Sequence, residues 1–420
     1  MKLLFSFSRL LFFCVLLVVV FGVFLFSSFY LGRESSFVYF FTLLLIFIVR
    51  MVLLNFRSRF LLLLVSWDLL GISRYFLVLF YNNWDRDVGS MNVALTNRLG
   101  DFFLFFAFVF FFCTSVSLHV FEFLFFISFL FIWLAGFTKR AQFPFSSWLP
   151  KAIRAPTPVR ALVHRSTLVT AGLVLMMKFN FLVLGLWLSL VLGLVGLFTM
   201  FFSRGLALVE QDIKKVVALR TLSQMGFSCF VLRLSLSFFS LFHLLRHALF
   251  KSCLFIQVGY LIYRSLGQQD GRAYRGLSWG FTFLRFQLLL TLFCLCGMFF
   301  TRGLVSKDFV LEFFLFVSVK FFLVLLFLVS VFLTFFYSFR LWRGLFAGGF
   351  SFLYVCVSRG LQFVVSFLLS VFALSFVWFL SKNCVFVPLY GLYFSVWTPV
   401  LFVVFFFLVW FLFLKLFVGI

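Results

Sequence analysis

Three side chains that can gain or lose a proton recur at every fourth position of one apolar stretch. They are His243, His247 and Lys251, in the sequence HLLRHALFK. Because residues four apart lie on one face of an α-helix, the three form a single stripe. Imidazole titrates near neutral pH and a buried lysine can release its proton, so the stripe predicts a proton relay. The alternative is a polar stripe that only hydrogen-bonds neighbouring helices, and it suits His243 better than the other two.

Two further lysines, Lys139 and Lys307, lie where long apolar stretches are interrupted. Non-helical backbone at membrane depth requires protein or water around it, so both places predict the hydrated cavities in which transporters bind ions. The interruption at Lys139 is the segment 138–159, and the weaker interruption at Lys307 is the segment 297–308. The residues expected to break the helices are Pro144, Pro150, Pro156, Pro158 and Gly303.

Two carboxylates and an isolated histidine complete the candidates. Asp68 has apolar neighbours on both sides, so it needs a cationic partner or a proton. We expect it to approach Lys139 across facing helices. Asp101 begins a long apolar run, where capping of a helix end and a functional role are equally open. His164 stands alone, and an isolated histidine is more often a packing residue than a proton carrier.

The composition requires that much of the chain faces lipid. Of 420 residues, 65% are hydrophobic and 11% are charged, whereas soluble domains carry about 25% charged residues. The continuous apolar runs predict an all-α protein, a polytopic bundle of roughly twelve to fourteen transmembrane helices rather than a β-barrel. Lys and Arg outnumber Asp and Glu by 35 to 11. They are dispersed at span ends, which favours anionic phospholipids such as cardiolipin as partners and argues against nucleic acid.

Cofactor motifs are missing from the sequence. It has no glycine-rich phosphate loop, and its eight cysteines form neither an iron–sulfur set nor a metal site. We therefore expect no metal and no redox cofactor in this chain. The 79 phenylalanines exceed what packing in lipid demands. Since phenylalanine codons are rich in T, they indicate the T-rich coding typical of organelle genomes.

Short polar motifs occur in a fixed order across residues 38–343. They include WDLLGIS at 67–73, NRLGD at 97–101, KRAQF at 139–143, APTPV at 155–159, ALVH at 161–164, QDIKK at 211–215, HALFK at 247–251 and SKD at 306–308. In kind and in order, these motifs resemble the NADH dehydrogenase subunit 5 family of mitochondrial respiratory complex I. That family is related to the Mrp-type cation/proton antiporter subunits.

The resemblance implies a particular domain organisation. Two antiporter-like repeats of five helices and inverted topology are expected, in residues 38–180 and 181–343. N-terminal spans at 1–37 precede them, and C-terminal spans at 344–420 follow. Each repeat is expected to contain a discontinuous helix that carries a lysine.

The resemblance also implies roles for individual residues. The two discontinuous-helix lysines correspond to Lys139 and Lys307, and the carboxylate that pairs with the first of them corresponds to Asp68, where the family has Glu. A central relay corresponds to His164, His247 and Lys251. The complete set expected to take part in proton translocation is Asp68, Asp101, Lys139, His164, His243, His247, Lys251, Lys307 and Asp308.

The chain departs from the family's pattern in three respects. Arginine replaces small or uncharged residues at Arg160, Arg165, Arg220 and Arg246. The portion before residue 38 is expected to lack a helix or more, although its first apolar run suits a retained span better than a signal peptide. Residues 388–420 are apolar nearly all round, so we expect the family's lateral amphipathic helix to be missing.

These observations together predict a proton-pumping subunit of complex I, in the mitochondrial inner membrane and mitochondrially encoded. NADH, FMN, the iron–sulfur clusters and ubiquinone are then expected in partner subunits, because no motif in this chain would bind them. The expected partners are the other membrane-arm subunits and the peripheral subunits. Two alternatives stay open: an Mrp-type sodium/proton antiporter subunit, and a structural subunit that has lost transport.

Overall fold

The computed structural model describes residues 6–32, 34–57, 60–81, 83–113, 121–151, 156–162, 168–179, 186–265, 267–274, 282–297, 307, 310–311, 313–314, 321–346 and 361–380. These residues are almost entirely helical. The helices are α1 (Phe7–Leu31), α2 (Phe37–Phe56), α3 (Phe60–Leu79), α4 (Trp84–Cys113), α5 (Phe121–Arg140), α6 (Trp148–Lys151), α7 (Thr157–Leu162), α8 (Leu168–Lys178), α9 (Leu186–Val209), α10 (Ile213–Arg233), α11 (Ser237–Arg264), α12 (Thr282–Cys296), α13 (Phe321–Phe346) and α14 (Leu361–Leu380).

Seven of the described helices are long and apolar enough to cross a membrane. They lie in α1, α2, α3, α4, α9, α11 and α13. The prediction of an all-α transmembrane protein is confirmed. The total of twelve to fourteen spans, the inverted repeats and the boundaries at residues 37, 180 and 343 stay predictions. The segment predicted to lack a lateral helix, 388–420, lies outside the described residues.

The chain divides into two compact units. The first comprises Met1–Thr199 and Gln224–Ala248. Within it, α3 packs against α2 and α4, and α5 packs against α4 and α8. Small residues permit the close approach of α5 and α8, because a Cβ added at Gly172 would lie 2.9 Å from the carbonyl oxygen of Gly136. Such small-residue contacts are the usual basis of helix association in lipid, where apolar burial gives little driving force.

The second unit comprises Met200–Ser223 and Leu249–Ile420. Within it, α12 packs against α13 and α14. Two loops are joined by backbone hydrogen bonds: Ile213 donates to the Gln269 carbonyl at 3.2 Å, and Gly271 donates to the Gln211 carbonyl at 3.1 Å. These bonds fix the start of α10 beside the turn that follows α11.

The proline-rich segment interrupts the helix where the sequence predicts it. The helix α5 ends at Arg140, Ala141 has a positive φ of 55°, and a non-helical segment containing Pro144 leads to the four-residue α6. Of the other predicted breakers, Pro150 lies in α6, Pro156 immediately precedes α7 and Pro158 lies in its first turn. Near the second predicted break, α12 ends at Cys296 and Gly297 has a φ of +79°, while Gly303 lies outside the described residues.

Candidate functional site

Lys139 lies in the last turn of α5, and its side chain is fully buried. Its Nζ donates a hydrogen bond of 3.0 Å to the backbone carbonyl oxygen of Trp67 in α3. The same ammonium lies 4.5 Å from the centroid of the Trp67 ring, a cation–π distance. A Cβ added at Gly71 would lie 3.9 Å from Nζ, so this glycine lets α3 approach the ammonium closely. Lys139 is therefore held by a carbonyl dipole and an aromatic face on one helix.

Among the described residues, the carboxylate nearest to Lys139 belongs to Asp101 of α4. Its Oδ1 lies 3.7 Å from Nζ, and both side chains are buried, with 5% and 0% of their surface exposed. The other oxygen, Oδ2, lies 3.7 Å from Nη1 of Arg98. Asp101 is thus shared evenly between a buried lysine and an arginine one helical turn away.

Asp68 pairs with Arg98 rather than with Lys139. Its Oδ1 accepts a hydrogen bond of 2.7 Å from Arg98 Nη1. The prediction that Asp68 approaches Lys139 stays a prediction, while the carboxylate within ion-pair distance of the ammonium is that of Asp101. Asp68 still lies close enough to act on Lys139 electrostatically. The result is a line of alternating charges, Asp68, Arg98, Asp101 and Lys139, that leads from partly exposed side chains (34% for Asp68 and 54% for Arg98) to a buried one.

Hydrogen bonds and a cation–π contact hold the interrupted end of α5 in place. Trp148 donates from its indole nitrogen to the Thr138 carbonyl at 2.9 Å, and Arg74 lies 3.8 Å over the Trp148 ring. Arg140, next to Lys139, is also buried. It donates to the Met225 carbonyl at 3.1 Å and to Cys229 Sγ at 2.9 Å. These contacts fix the backbone on both sides of Lys139, so the lysine sits in a rigid frame.

Lys307 occupies a different kind of site. Its Nζ donates to the carbonyl oxygens of Leu295 at 3.0 Å and Cys296 at 2.6 Å, the last two residues of α12. Only 5% of the residue is exposed. The final carbonyls of a helix lack intrahelical partners and carry the negative end of its dipole, so they attract a cation. Asp308, the neighbouring candidate, lies outside the described residues.

The proposed stripe lies on α11, which is continuous from Ser237 to Arg264 and almost entirely buried. Its rings at His243 and His247 have centroids 6.3 Å apart and are nearly parallel, at 21°. Relay candidates were expected to be shielded from lipid, and this is confirmed for the residues with 0–5% exposure: Lys139, His247, Lys251 and Lys307. His164 lies outside the described residues.

Sequence reasoning missed three groups around the lysine, Trp67, Arg74 and Arg98. Two of them, Trp67 and Arg98, belong to the motifs WDLLGIS and NRLGD, so position within a motif was the available signal. Within the described residues, no group of three or more His, Cys, Asp or Glu side chains is arranged to hold a metal ion. The amine, carboxyl and imidazole groups of the site can gain and lose protons.

Residues 58–334 match the model of one transmembrane family, the NADH:quinone oxidoreductase/Mrp antiporter family. The chain belongs to this family. Among curated members, the NADH-ubiquinone oxidoreductase chain 5 of Ascaris suum is 52% identical over 417 residues, which are 98% of this chain and 75% of that one. The Caenorhabditis elegans chain 5 is 51% identical over 421 residues, covering 98% of this chain and 78% of its own.

A solved structure shares the fold. The Mrp complex from a Dietzia species includes a chain that superposes with a TM-score of 0.78 at 25% identity. The match covers 91% of this chain and 43% of that one. The resemblance found in the sequence motifs is thereby confirmed, in family and in fold.

Proposed function

We propose that this chain is a proton-translocating membrane-arm subunit of an NADH:ubiquinone oxidoreductase. The observation that carries the proposal is the buried Lys139–Asp101 pair at the end of an interrupted helix, with the Arg98–Asp68 pair leading to it. The relatives named NADH-ubiquinone oxidoreductase chain 5 support it, because they match nearly the whole chain at about half identity.

The geometry suggests how protons are moved. Asp101 lies 3.7 Å from both Lys139 and Arg98, so the two cations compete for one carboxylate. While Arg98 stays with Asp68, Asp101 stabilises the ammonium form of Lys139. When Arg98 moves towards Asp101, the buried ammonium loses part of its counter-charge and releases its proton. A rearrangement of side chains at the partly exposed end thus controls protonation at the buried end.

Further buried groups supply the remaining steps of the relay. We assign proton transfer to His247 and Lys251 of α11, which are one helical turn apart and have 2% and 0% exposure. Lys307 serves as a second lysine at a helix break. Each is a buried ionisable group in a membrane helix protein, which is expensive to maintain without a function.

The redox chemistry belongs, in this proposal, to other subunits. NADH, FMN, the iron–sulfur clusters and ubiquinone bind to partners among the peripheral and membrane-arm subunits. Their electron transfer releases energy, and this chain uses that energy to rearrange the line of charges that ends at Lys139. Basic residues at span ends contact anionic phospholipids such as cardiolipin, and the complex resides in the mitochondrial inner membrane.

The test uses the assembled complex in sealed vesicles, with proton uptake measured against NADH oxidation. We expect Lys139→Met to lower the protons moved per NADH while the complex stays assembled, because the variant keeps an apolar stem but cannot titrate. Lys151→Met is the matched control, since Lys151 is exposed on the neighbouring α6. A Lys139→Met complex that assembles and pumps like the wild type would refute the proposal, and would support the alternative of a structural subunit without transport.

A sodium/proton antiporter is the second candidate. The superposition on a chain of an Mrp complex favours it, and the same charged line would serve an exchange reaction. The two are separated by imposing a sodium gradient on the vesicles in the absence of NADH. Sodium-driven proton movement that Lys139→Met abolishes would favour the antiporter, whereas proton movement that requires NADH favours the oxidoreductase subunit.

A further inference from the structure

The first residue of the α11 stripe has a specific pair of partners. His243 Nε2 lies 3.1 Å from Oε1 of Gln224 in α10, and its Nδ1 lies 3.3 Å from Nη2 of Arg246, three residues along α11. All three residues are buried, with 2–3% exposure. Phe227 packs on the imidazole with ring centroids 4.6 Å apart. Both ring nitrogens are thus within hydrogen-bonding distance of fixed groups.

These contacts determine the tautomer of His243. A guanidinium has only N–H donors, so the nitrogen that faces Arg246 must accept and cannot carry hydrogen. Nδ1 is therefore the acceptor, and the ring proton lies on Nε2, where it is donated to the Gln224 carbonyl oxygen. Only the neutral ring satisfies both contacts.

A second proton on His243 would be strongly opposed. It would have to attach to Nδ1, which would lose its hydrogen bond and place two cations 3.3 Å apart in a buried site. Like charges at this distance repel strongly where burial limits screening by water, so the contact with Arg246 opposes addition of that proton. Among the described residues, the titratable or charged groups shown against the ring are Arg246 and His247 on α11, while α10 contributes Gln224 and Phe227, which do not titrate.

We infer that Arg246 locks His243 as a neutral imidazole, so that the proton-carrying part of the α11 stripe begins at His247. The inference rests on the proposed function. It makes Arg246 a positioning residue, which sets where protons enter the stripe without carrying them itself.

The experiment measures the pH profile of proton uptake per NADH oxidised, from about pH 6 to 9, in vesicles that contain the assembled complex. Arg246→Gln removes the cation, and we expect a new inflection near pH 6.5, where an ordinary imidazole titrates. Adding His243→Asn to that variant should abolish the inflection. Arg246→Lys keeps a cation and a donor, so it should retain the wild-type profile.

Three results would overturn the inference. The first is a wild-type pH profile in Arg246→Gln. The second is a new inflection in Arg246→Gln that persists in the double variant with His243→Asn. If Arg246→Gln fails to assemble, the single variant His243→Asn decides: we expect it to pump like the wild type, and reduced pumping in its assembled complex would show that His243 carries protons. Failure of the proposed function itself is detected separately, by normal pumping in Lys139→Met.

Discussion

Replacing Asp101 by Asn tests the pairing of charges around Lys139. The Asp101 Oδ1–Lys139 Nζ distance of 3.7 Å, with an effective dielectric of about 20, gives an attraction of about 4 kcal/mol. Asp101→Asn keeps the shape of the side chain but removes this attraction. A free-energy difference of about 1.4 kcal/mol corresponds to a factor of ten in an equilibrium constant. The equilibrium between the ammonium and amine forms of Lys139 should therefore shift by roughly two to three orders of magnitude towards the amine.

The matched variant is Asp68→Asn. The Asp68 side chain is one-third exposed and bonds to Arg98 rather than to Lys139. Because the pair is partly exposed, Asp68→Asn should remove an Asp68–Arg98 attraction of only about 1 kcal/mol or less. We expect proton uptake per NADH to fall by tenfold or more in Asp101→Asn and by only a small factor in Asp68→Asn. Both are measured in assembled complexes. A larger loss in Asp68→Asn would show that Asp68 is the direct partner of Lys139, and the reasoning from the present geometry would fail.

Three more outcomes are expected. Lys251→Met removes titration and Lys251→Arg fixes the charge, so both should assemble and lower proton uptake per NADH; uptake equal to the wild type would make Lys251 structural. Lys307→Met removes two charge-assisted hydrogen bonds to backbone carbonyls, so thermal unfolding should show a loss of about 2 kcal/mol or more of stability. The loss should be smaller in Lys307→Arg. Equal stability of Lys307→Met and the wild type would contradict this expectation. Gly100→Ala would place a Cβ against Thr138 Oγ1 and should cost about 1–3 kcal/mol of stability, whereas Gly205→Ala meets nothing within 4 Å and should be neutral or slightly stabilising. Thermal unfolding that does not distinguish the two variants would count against the packing of α4 on α5.

The sequence was sufficient to place Lys139 at a helix break, because proline acts locally. A proline removes a backbone donor wherever the helix lies, so the end of α5 at Arg140 could be predicted without knowledge of its neighbours. Burial of Lys139 and Lys251 was predictable for a similar reason, since each lies in or at the end of an apolar stretch.

The partner of Lys139 could not be predicted in the same way. Sequence spacing gives the face of a helix on which a carboxylate lies, but not the helix that this face meets. Asp68 and Asp101 both belonged to recognisable motifs, and only the packing of α3, α4 and α5 puts Asp101 nearer to the ammonium.

The role of His243 shows a signal that was present and not used. Spacing by four residues placed it on the stripe with His247. Arg246 lies three residues after His243, and side chains at that separation are also neighbours on a helix surface. Its reach to Nδ1 could therefore have been foreseen, whereas the contact with Gln224 required the packing of α10 on α11.

The ammonium group of Lys307 also caps the C-terminal end of α12. Its ammonium closes the end of α12 by binding the carbonyls of Leu295 and Cys296, and charge-assisted bonds of this kind are about twice as strong as neutral ones. In the proposed function, release of this proton would remove both bonds and free the last turn of α12, next to the left-handed turn at Gly297. A change of one charge would then alter the conformation of the backbone as well as the electric field.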